Sequence, residues 1–199
     1  MMSKNLIFKA DSHNLERAFC ALDAGKIIVY PTDTLYSLGV DASNEKAIHD
    51  LNKLKNRSEP LSILLSNIDK IKEYGYIDSA IKTKIRTLLP GPYTLLLKSK
   101  KNKKISPLIQ GGSNLIGIRV IDIKFCNNLI TQLGRPIVTT SVNKHGMSSM
   151  TNIDEISYSF PNIPIFYNKK NLITNGSTII DFSDTPEQVI RLGEGKYFL

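Results

Sequence analysis

The stretch that most constrains the fold runs from Tyr30 to Gly39 and reads Tyr-Pro-Thr-Asp-Thr-Leu-Tyr-Ser-Leu-Gly. It follows the apolar run 27–29, and β-branched residues closed by a proline are typical of a buried strand that leads into a loop. This loop carries three hydroxyl groups and one carboxylate, on Thr32, Asp33, Thr34 and Tyr36. Such side chains bind ligands at the strand ends of α/β sheets, and they also form ordinary capped turns. Both interpretations of the loop are open.

Apolar periodicity predicts alternating strands and helices along the rest of the chain. Helical spacing begins at Ser12, with Ser12 or Asn14 as N-cap, and at Asn44, and it covers 67–74, 79–89, 124–133 and a short stretch begun by Thr151 with Asp154. Strand patterns cover 26–30, 61–65, 93–98, 116–120, 137–140, 178–181 and 189–192. Because short turns such as 90–92 favour antiparallel pairing, we expect an α/β fold. It would be a single domain over 1–199, with one mixed parallel and antiparallel sheet and flanking helices.

The composition is that of a globular protein and argues against several kinds of site. Of the 199 residues, 41% are apolar and 22% are charged, which allows a large core without disulfides or metals. Cys20 and Cys126 lie far apart and match no zinc, haem or redox spacing, so we expect two reduced core cysteines and no metal held by the protein. The N-terminal segment lacks an apolar core, and no run of about 18 apolar residues occurs. A cytoplasmic protein with no membrane contact is predicted.

The chain is basic, with a formal net charge of +8 and a pI near 9.4. This charge favours a polyanionic partner such as nucleotide phosphate or RNA, although the abundance of Lys, Asn and Ile is also typical of AT-rich genomes. The run from Lys98 to Lys104 holds five lysines in seven positions. It is either a solvated loop or a contact with RNA or phosphate.

Polar side chains cluster at or beside the predicted strand and helix ends. The clusters are 32–36, then Lys55 with Arg57, then Thr139, Ser141 and Asn143, and the predicted strands add Arg119 and Arg191. An arginine in an apolar strand must reach solvent or meet an anion, because burying it unpaired is costly. Hydroxyls, amides and guanidiniums together suit a site for a nucleotide phosphate and a carboxylate.

These clusters belong to a set of motifs in which the chain resembles the YrdC-like threonylcarbamoyl-adenylate synthases, from about Lys26 to Gly193. The motifs are Pro31-Thr-Asp-Thr-Leu-Tyr-Ser-Leu-Gly39, Lys55-Asn-Arg57, Leu89-Pro-Gly-Pro-Tyr-Thr94, Gly117-Ile-Arg-Val120, Ser141-Val-Asn143, Ser177-Thr-Ile-Ile-Asp181 and Arg191-Leu-Gly193. Each motif is weak alone, but together they follow the family's order. The resemblance implies a twisted mixed sheet with a concave, basic cavity.

The resemblance also implies a role for individual residues. Catalytic contacts to the ATP phosphates fall on Lys55, Arg57, Ser141 and Asn143, and further ATP contacts on Leu115, Ser149 and Arg191. Threonine contacts fall on Thr34, Arg119, Thr139 and Ser177, with Arg119 suited to the substrate carboxylate.

Several positions depart from the family pattern. Ser37 stands where glycine is usual, Val142 where alanine is common, and Lys144-His145-Gly146 where a serine often precedes the glycine. Longer relatives have a histidine near the threonine where this chain has Leu64. Their extra C-terminal domain is expected to be absent here, since eight residues follow Arg191.

The implied activity is that of a nucleotidyltransferase acting on L-threonine, bicarbonate and ATP. Its products would be threonylcarbamoyl-AMP and pyrophosphate, with Mg²⁺ held through the triphosphate. A tRNA-modifying transferase would use the adenylate downstream, and direct contact with tRNA is possible. Two alternatives stay open, an RNA-binding module and a paralogous carbamoyl-adenylate-forming enzyme of the same fold.

Overall fold

The structure is a computed structural model that describes residues 6–56, 60–143, 147–169 and 174–197. The strands in these residues are β1 (Ile7–Lys9), β2 (Ile28–Pro31), β3 (Tyr36–Gly39), β4 (Ser62–Leu65), β5 (Tyr93–Lys98), β6 (Leu115–Val120), β7 (Ile137–Ser141), β8 (Ile165–Tyr167), β9 (Thr178–Asp181) and β10 (Gln188–Arg191). The α-helices are α1 (Leu15–Asp23), α2 (Glu45–Lys55), α3 (Ile71–Tyr74), α4 (Ser79–Leu88), α5 (Lys124–Leu133) and α6 (Ile153–Ser159).

The described strands form one mixed sheet in the order β1-β8-β2-β3-β7-β4-β6-β5-β9-β10. The pairs β1–β8, β8–β2, β4–β6 and β5–β9 are parallel, and the other neighbours are antiparallel. This is the predicted mixed sheet with flanking helices.

The two faces of the sheet are covered by different helices. One face packs against buried residues of α2, α3, α4 and α6, including Leu51, Tyr74, Ile85 and Ile156. The other face packs against α1 and α5, as in the cluster of Leu22, Leu64, Leu129 and Ile137. The helices α1 and α5 cover only part of this second face.

Side-chain alternation makes the rest of the second face polar. Residues two apart on a strand point to the same face, so Ser62 shares a face with the buried Leu64, and Thr139 shares one with Ile137. Ser62 pairs with Thr139 in register. Along these strands, the face therefore changes from an apolar core under α5 to hydroxyl groups over a distance of two residues.

Local capping explains several helix limits, and it corrects some of the predicted caps. The Asn44 side chain accepts a hydrogen bond from the Ala47 amide, as predicted for the start of α2. Asn14 lies at the N-cap position of α1, as predicted, but its side chain makes no capping hydrogen bond there. Asp11, rather than Ser12, caps the short helical turn before α1, and Asn152, rather than Thr151, caps α6.

Other differences concern short strands and one cysteine. The strands β1 and β8 were not predicted, nor was β3, which forms an antiparallel hairpin with β2. Cys126 is buried as expected, but Cys20 is exposed on α1. Among the described helices, none combines the length and apolarity needed to cross a bilayer.

Candidate active site

A cavity of about 330 Å³ opens on the polar part of the second sheet face. This is within the size range of small-molecule sites. The residues that line it are Thr34, Leu35, Ser37, Pro60, Ser62, Thr94, Arg119, Thr139, Thr140, Ser141, Ser149, Asn175, Gly176, Ser177, Ile179 and Arg191. Several of its polar side chains are buried, namely those of Thr34, Ser37, Thr94, Arg119, Thr139 and Ser177.

One end of the cavity is built around Arg119, which lies in β6 beside β4. The guanidinium Nη2 donates to Thr34 Oγ1 at 3.1 Å and forms an ion pair with the carboxylate of Asp33. The Arg119 side chain is only 7% exposed, so its charge requires such a partner. Desolvation raises the pKa of Asp33 above its ordinary value, although the nearby Arg119 acts in the opposite direction.

The turn that carries Thr34 is held by Thr32. The Thr32 hydroxyl donates to the Leu35 carbonyl at 2.6 Å and accepts hydrogen bonds from the Thr34 and Leu35 amides at 3.2 and 3.1 Å. Thr32 is therefore a turn residue, whereas its neighbour Thr34 lines the cavity. The capped-turn interpretation of the 30–39 loop holds for Thr32, and Thr34 lies where the ligand-binding interpretation requires it.

A second arginine enters the cavity from the edge strand β10. Arg191 Nη2 donates to the Ser177 carbonyl at 2.8 Å, and the Ser177 hydroxyl is 2.8 Å from the hydroxyl of Thr94. Desolvation and the positive charge of Arg119 lower the pKa of Arg191. The two guanidiniums therefore affect one another through the cavity.

The backbone that follows β10 lies very close to Ser177. A Cβ atom on Gly193 would come within 2.3 Å of the Gly176 carbonyl oxygen and 2.6 Å of the Ser177 carbonyl carbon. The Gly193 amide donates to Thr178 Oγ1 at 2.9 Å. Glycine in the Arg191-Leu-Gly193 motif thus allows the close approach that brings Arg191 to Ser177.

At the other end of the cavity, the last residue of α2 meets the end of β7. Lys55 is 1% exposed, and its Nζ donates to the Ser141 carbonyl and to Asn143 Oδ1, each at 2.5 Å. The Ser141 hydroxyl donates to the same Asn143 oxygen at 3.0 Å. Lys55 lies 86 positions from Ser141 in sequence, and it forms one hydrogen-bonded group with Ser141 and Asn143 beside the cavity.

The predicted site residues are distributed as follows. The cavity lining includes Thr34, Arg119, Thr139, Ser141, Ser149, Ser177 and Arg191, and Lys55 and Asn143 are bonded to Ser141. Leu115 lies at the start of β6 outside the lining, paired with Lys98. Arg57 and 144–146 lie outside the described residues.

Some lining residues were not singled out from the sequence as site residues. They include Ser62, Thr94, Thr140 and Asn175, and also Ser37, which was noted only as a departure. Ser37 accepts a hydrogen bond from the Thr139 hydroxyl at 3.3 Å. The sequence signal that could have identified such residues is a single hydroxyl side chain in an otherwise apolar strand, as for Ser62 and Thr94. Leu64, the position of the relatives' histidine, is fully buried in the core cluster shared with α5.

The family model Sua5_yciO_yrdC, described as telomere recombination, matches residues 20–193. The chain belongs to the Sua5/YciO/YrdC family. This membership confirms the resemblance seen in the motifs.

Two curated relatives illustrate how the chain compares within the Sua5/YciO/YrdC family. Threonylcarbamoyl-AMP synthase of Bos taurus is 32% identical over 180 residues, which cover 85% of this chain and 63% of the relative. The enzyme of the same name from Photobacterium profundum is 32% identical over 148 residues, covering 72% of this chain and 79% of the relative. The chain thus spans less than two thirds of the bovine protein.

A solved structure of the family confirms the fold. Sua5 of P. abyssi in complex with L-threonine superposes with a TM-score of 0.85 at 24% identity, covering 94% of this chain and 57% of that chain. The α/β fold with a mixed sheet and flanking helices is therefore the fold of the Sua5/YciO/YrdC family.

Proposed function

We propose that this chain is a threonylcarbamoyl-AMP synthase, a nucleotidyltransferase that condenses L-threonine, bicarbonate and ATP into threonylcarbamoyl-AMP and pyrophosphate. The observation that carries the proposal is that one cavity is lined by Thr34, Arg119, Thr139 and Ser177 from the threonine set and by Ser141, Ser149 and Arg191 from the ATP set. The relatives named threonylcarbamoyl-AMP synthase support the same activity.

Threonine would bind at the Arg119 end of the cavity. The Arg119 guanidinium offers paired donors to a carboxylate, and such bidentate contacts are both strong and directional. The hydroxyl groups of Thr34, Thr139 and Ser177 lie around the same space and would bind the remaining polar atoms of the amino acid.

ATP would bind toward the end where Lys55, Ser141 and Asn143 meet. We assign phosphate contacts to these three residues and to Arg57, and further ATP contacts to Ser149, Arg191 and Leu115. Of these residues, Leu115 lies outside the cavity lining. Mg²⁺ would arrive with the triphosphate. The described residues contain no group of three or more His, Cys, Asp or Glu side chains suited to a metal, so phosphate and water oxygens would be its ligands.

The reaction needs positioning and charge neutralisation rather than a side-chain nucleophile. The amine of threonine takes up bicarbonate with loss of water, and the resulting N-carboxylate oxygen attacks the α-phosphorus of ATP while pyrophosphate leaves. Holding two anions together and stabilising the leaving group are the protein's contributions. The positive charges of Lys55, Arg57 and Arg191 are suited to stabilising the leaving pyrophosphate.

The product would pass to a transferase that modifies tRNA. We accordingly propose a cytoplasmic enzyme, in which a direct contact with tRNA would fall to the lysine-rich loop 98–104. In that loop Lys98 pairs with Asp184 and Lys104 with Glu73, so part of its charge is already compensated within the fold.

The proposal is tested by threonine-dependent pyrophosphate release from purified protein. Lys55→Ala is expected to reduce turnover by about a hundredfold or more, because a charge that stabilises the leaving group is lost. Arg57→Ala is expected to act similarly. Lys53→Ala is the matched control, since Lys53 is exposed on the same helix. Circular dichroism checks that each variant is folded.

Two results would exclude this function. Unchanged turnover in both the Lys55 and Arg57 variants would remove the assigned roles. If carbamoyl phosphate or serine replaced threonine with higher efficiency in the wild-type protein, the chain would be a paralogue that forms a different adenylate. Mass spectrometry of the adenylate product distinguishes these cases.

A further inference from the structure

The turn between β2 and β3 holds a carboxylate that none of the assigned roles uses. Asp33 lies next to Thr34, and its side chain is 22% exposed. The described residues that line the cavity include two arginines and no acidic side chain. Asp33 is therefore the acidic group placed at the edge of this site, through its bond to Arg119.

The pairing of Asp33 with Arg119 leaves part of the guanidinium edge unused. Asp33 Oδ1 and Thr34 Oγ1 both accept from Nη2. The Nε atom, on the same edge, is buried and has no hydrogen-bond partner among the described residues. A carboxylate bound to both Nε and Nη2 would make a bidentate contact, which is stronger than the single bond made by Asp33.

The charges at this point match those of a zwitterion. Arg119 is buried, so it needs an anion whether this comes from Asp33 or from a ligand. An α-amino acid carries its carboxylate and its ammonium group on one carbon atom. Its carboxylate can replace Asp33 on Arg119, and the displaced Asp33 then lies beside the ammonium group.

We propose that Asp33 and Arg119 exchange partners when the amino acid binds. The substrate carboxylate takes the Nε and Nη2 edge of Arg119, and Asp33 accepts a hydrogen bond from the substrate ammonium group. Asp33 is then the residue that selects amino acids over acids without an amine. This inference rests on the proposed function and adds a substrate-binding residue to it.

The test compares two ligands that differ in the amine alone. L-Threonine and 3-hydroxybutanoate share the carboxylate and the 3-hydroxyl group. Calorimetric titration of the wild-type protein should show threonine binding at least about tenfold more tightly, since the hydrogen bond to a charged group is lost in the second ligand.

Asp33→Asn should change the two affinities in opposite directions. Threonine should bind about tenfold more weakly, because the ammonium group loses its anionic partner. 3-Hydroxybutanoate should bind more tightly than to the wild type, because no protein carboxylate competes for Arg119. Asp23→Asn is the matched control. It removes an exposed ion pair with Arg135, 3.2 Å long, and should alter neither affinity.

The outcomes separate this inference from the proposed function. If the wild-type protein does not bind threonine, the synthase assignment itself fails. If it binds threonine and 3-hydroxybutanoate equally, or if Asp33→Asn weakens both or leaves both unchanged, Asp33 only orients Arg119 and the exchange is excluded. Equal binding of the two ligands by the wild-type protein would exclude the exchange even if the variant does not fold.

Discussion

Arg119 and Arg191 line the same cavity but lie in contrasting surroundings. Arg119 lies in the interior strand β6, is buried, and is paired with the carboxylate of Asp33. Arg191 lies in the edge strand β10, is more exposed, and bonds to the neutral carbonyl of Ser177 at 2.8 Å. Among the described residues no carboxylate forms an ion pair with Arg191.

The contrast suggests a division of work between two residues of the same type. A buried, paired arginine can accept one carboxylate by exchanging partners, and a zwitterionic amino acid adds no net charge to the site. An arginine bonded to neutral oxygens keeps its full positive charge, which suits a multiply charged phosphate. The predictions below test whether these two roles are separate.

The largest expected effect follows from Arg119→Lys. Lysine keeps the charge but not the bidentate geometry, and it disturbs a buried pair with Asp33. We expect the KM for threonine to rise about a hundredfold while the KM for ATP changes a few-fold at most. Steady-state kinetics with each substrate varied in turn measures both values.

Arg86→Lys is the control for this substitution, because Arg86 is an exposed residue of α4. An equal rise in both KM values for Arg119→Lys would contradict the division between the two arginines.

A smaller effect, on the binding of ATP rather than of threonine, is expected for Arg191→Ala. Removing this charge should weaken binding of a non-hydrolysable ATP analogue about tenfold, because one charge-assisted contact to phosphate is lost. Threonine affinity without nucleotide should change much less, because Arg119 and its pairing with Asp33 are left in place. Titration calorimetry of each ligand alone checks this. Equal weakening of both ligands would show that the arginines act as one unit.

The smallest effect concerns the attachment of β10. Glu187, which precedes this strand, is bonded to Lys84 and accepts from Tyr197 Oη at 2.6 Å. These hydrogen bonds lower the pKa of Glu187 to about 2. Glu187→Gln should lower the free energy of unfolding by about 1 kcal/mol at pH 7, the upper end for surface ion pairs, because the Glu187 side chain is 14% exposed while Lys84 is 48% exposed.

The pH dependence of this loss has a definite sign. A carboxyl group with a lowered pKa stabilises the folded state above its unfolded pKa, and this stabilisation disappears as the pH falls through the folded value. The difference between wild type and Glu187→Gln should therefore shrink between pH 4.5 and about 2. Thermal unfolding at several pH values measures it. A constant difference over this range would contradict the role of Glu187 as an ion.

Much of the fold was predictable from local signals. The helices α4 and α5 and the strand β5 have almost the predicted limits, because the proline-rich turn at 90–92 and Gly134 end their elements abruptly. The three-residue strands β1 and β8 were missed. They are too short to show a period of two, and their partners lie far away in sequence.

The sequence by itself determined the types of the helices and strands and the order of the family motifs. It also determined which residue types could bind a nucleotide phosphate and a carboxylate. Only the tertiary structure decided that Thr32 holds a turn while Thr34 lines the cavity, and that Arg119 is paired with Asp33, which lies 86 positions away along the chain. The physical reason is that these contacts depend on how β2, β3 and β6 pack in the sheet. Strand register is a non-local property, set by packing across the whole sheet rather than by neighbouring residues.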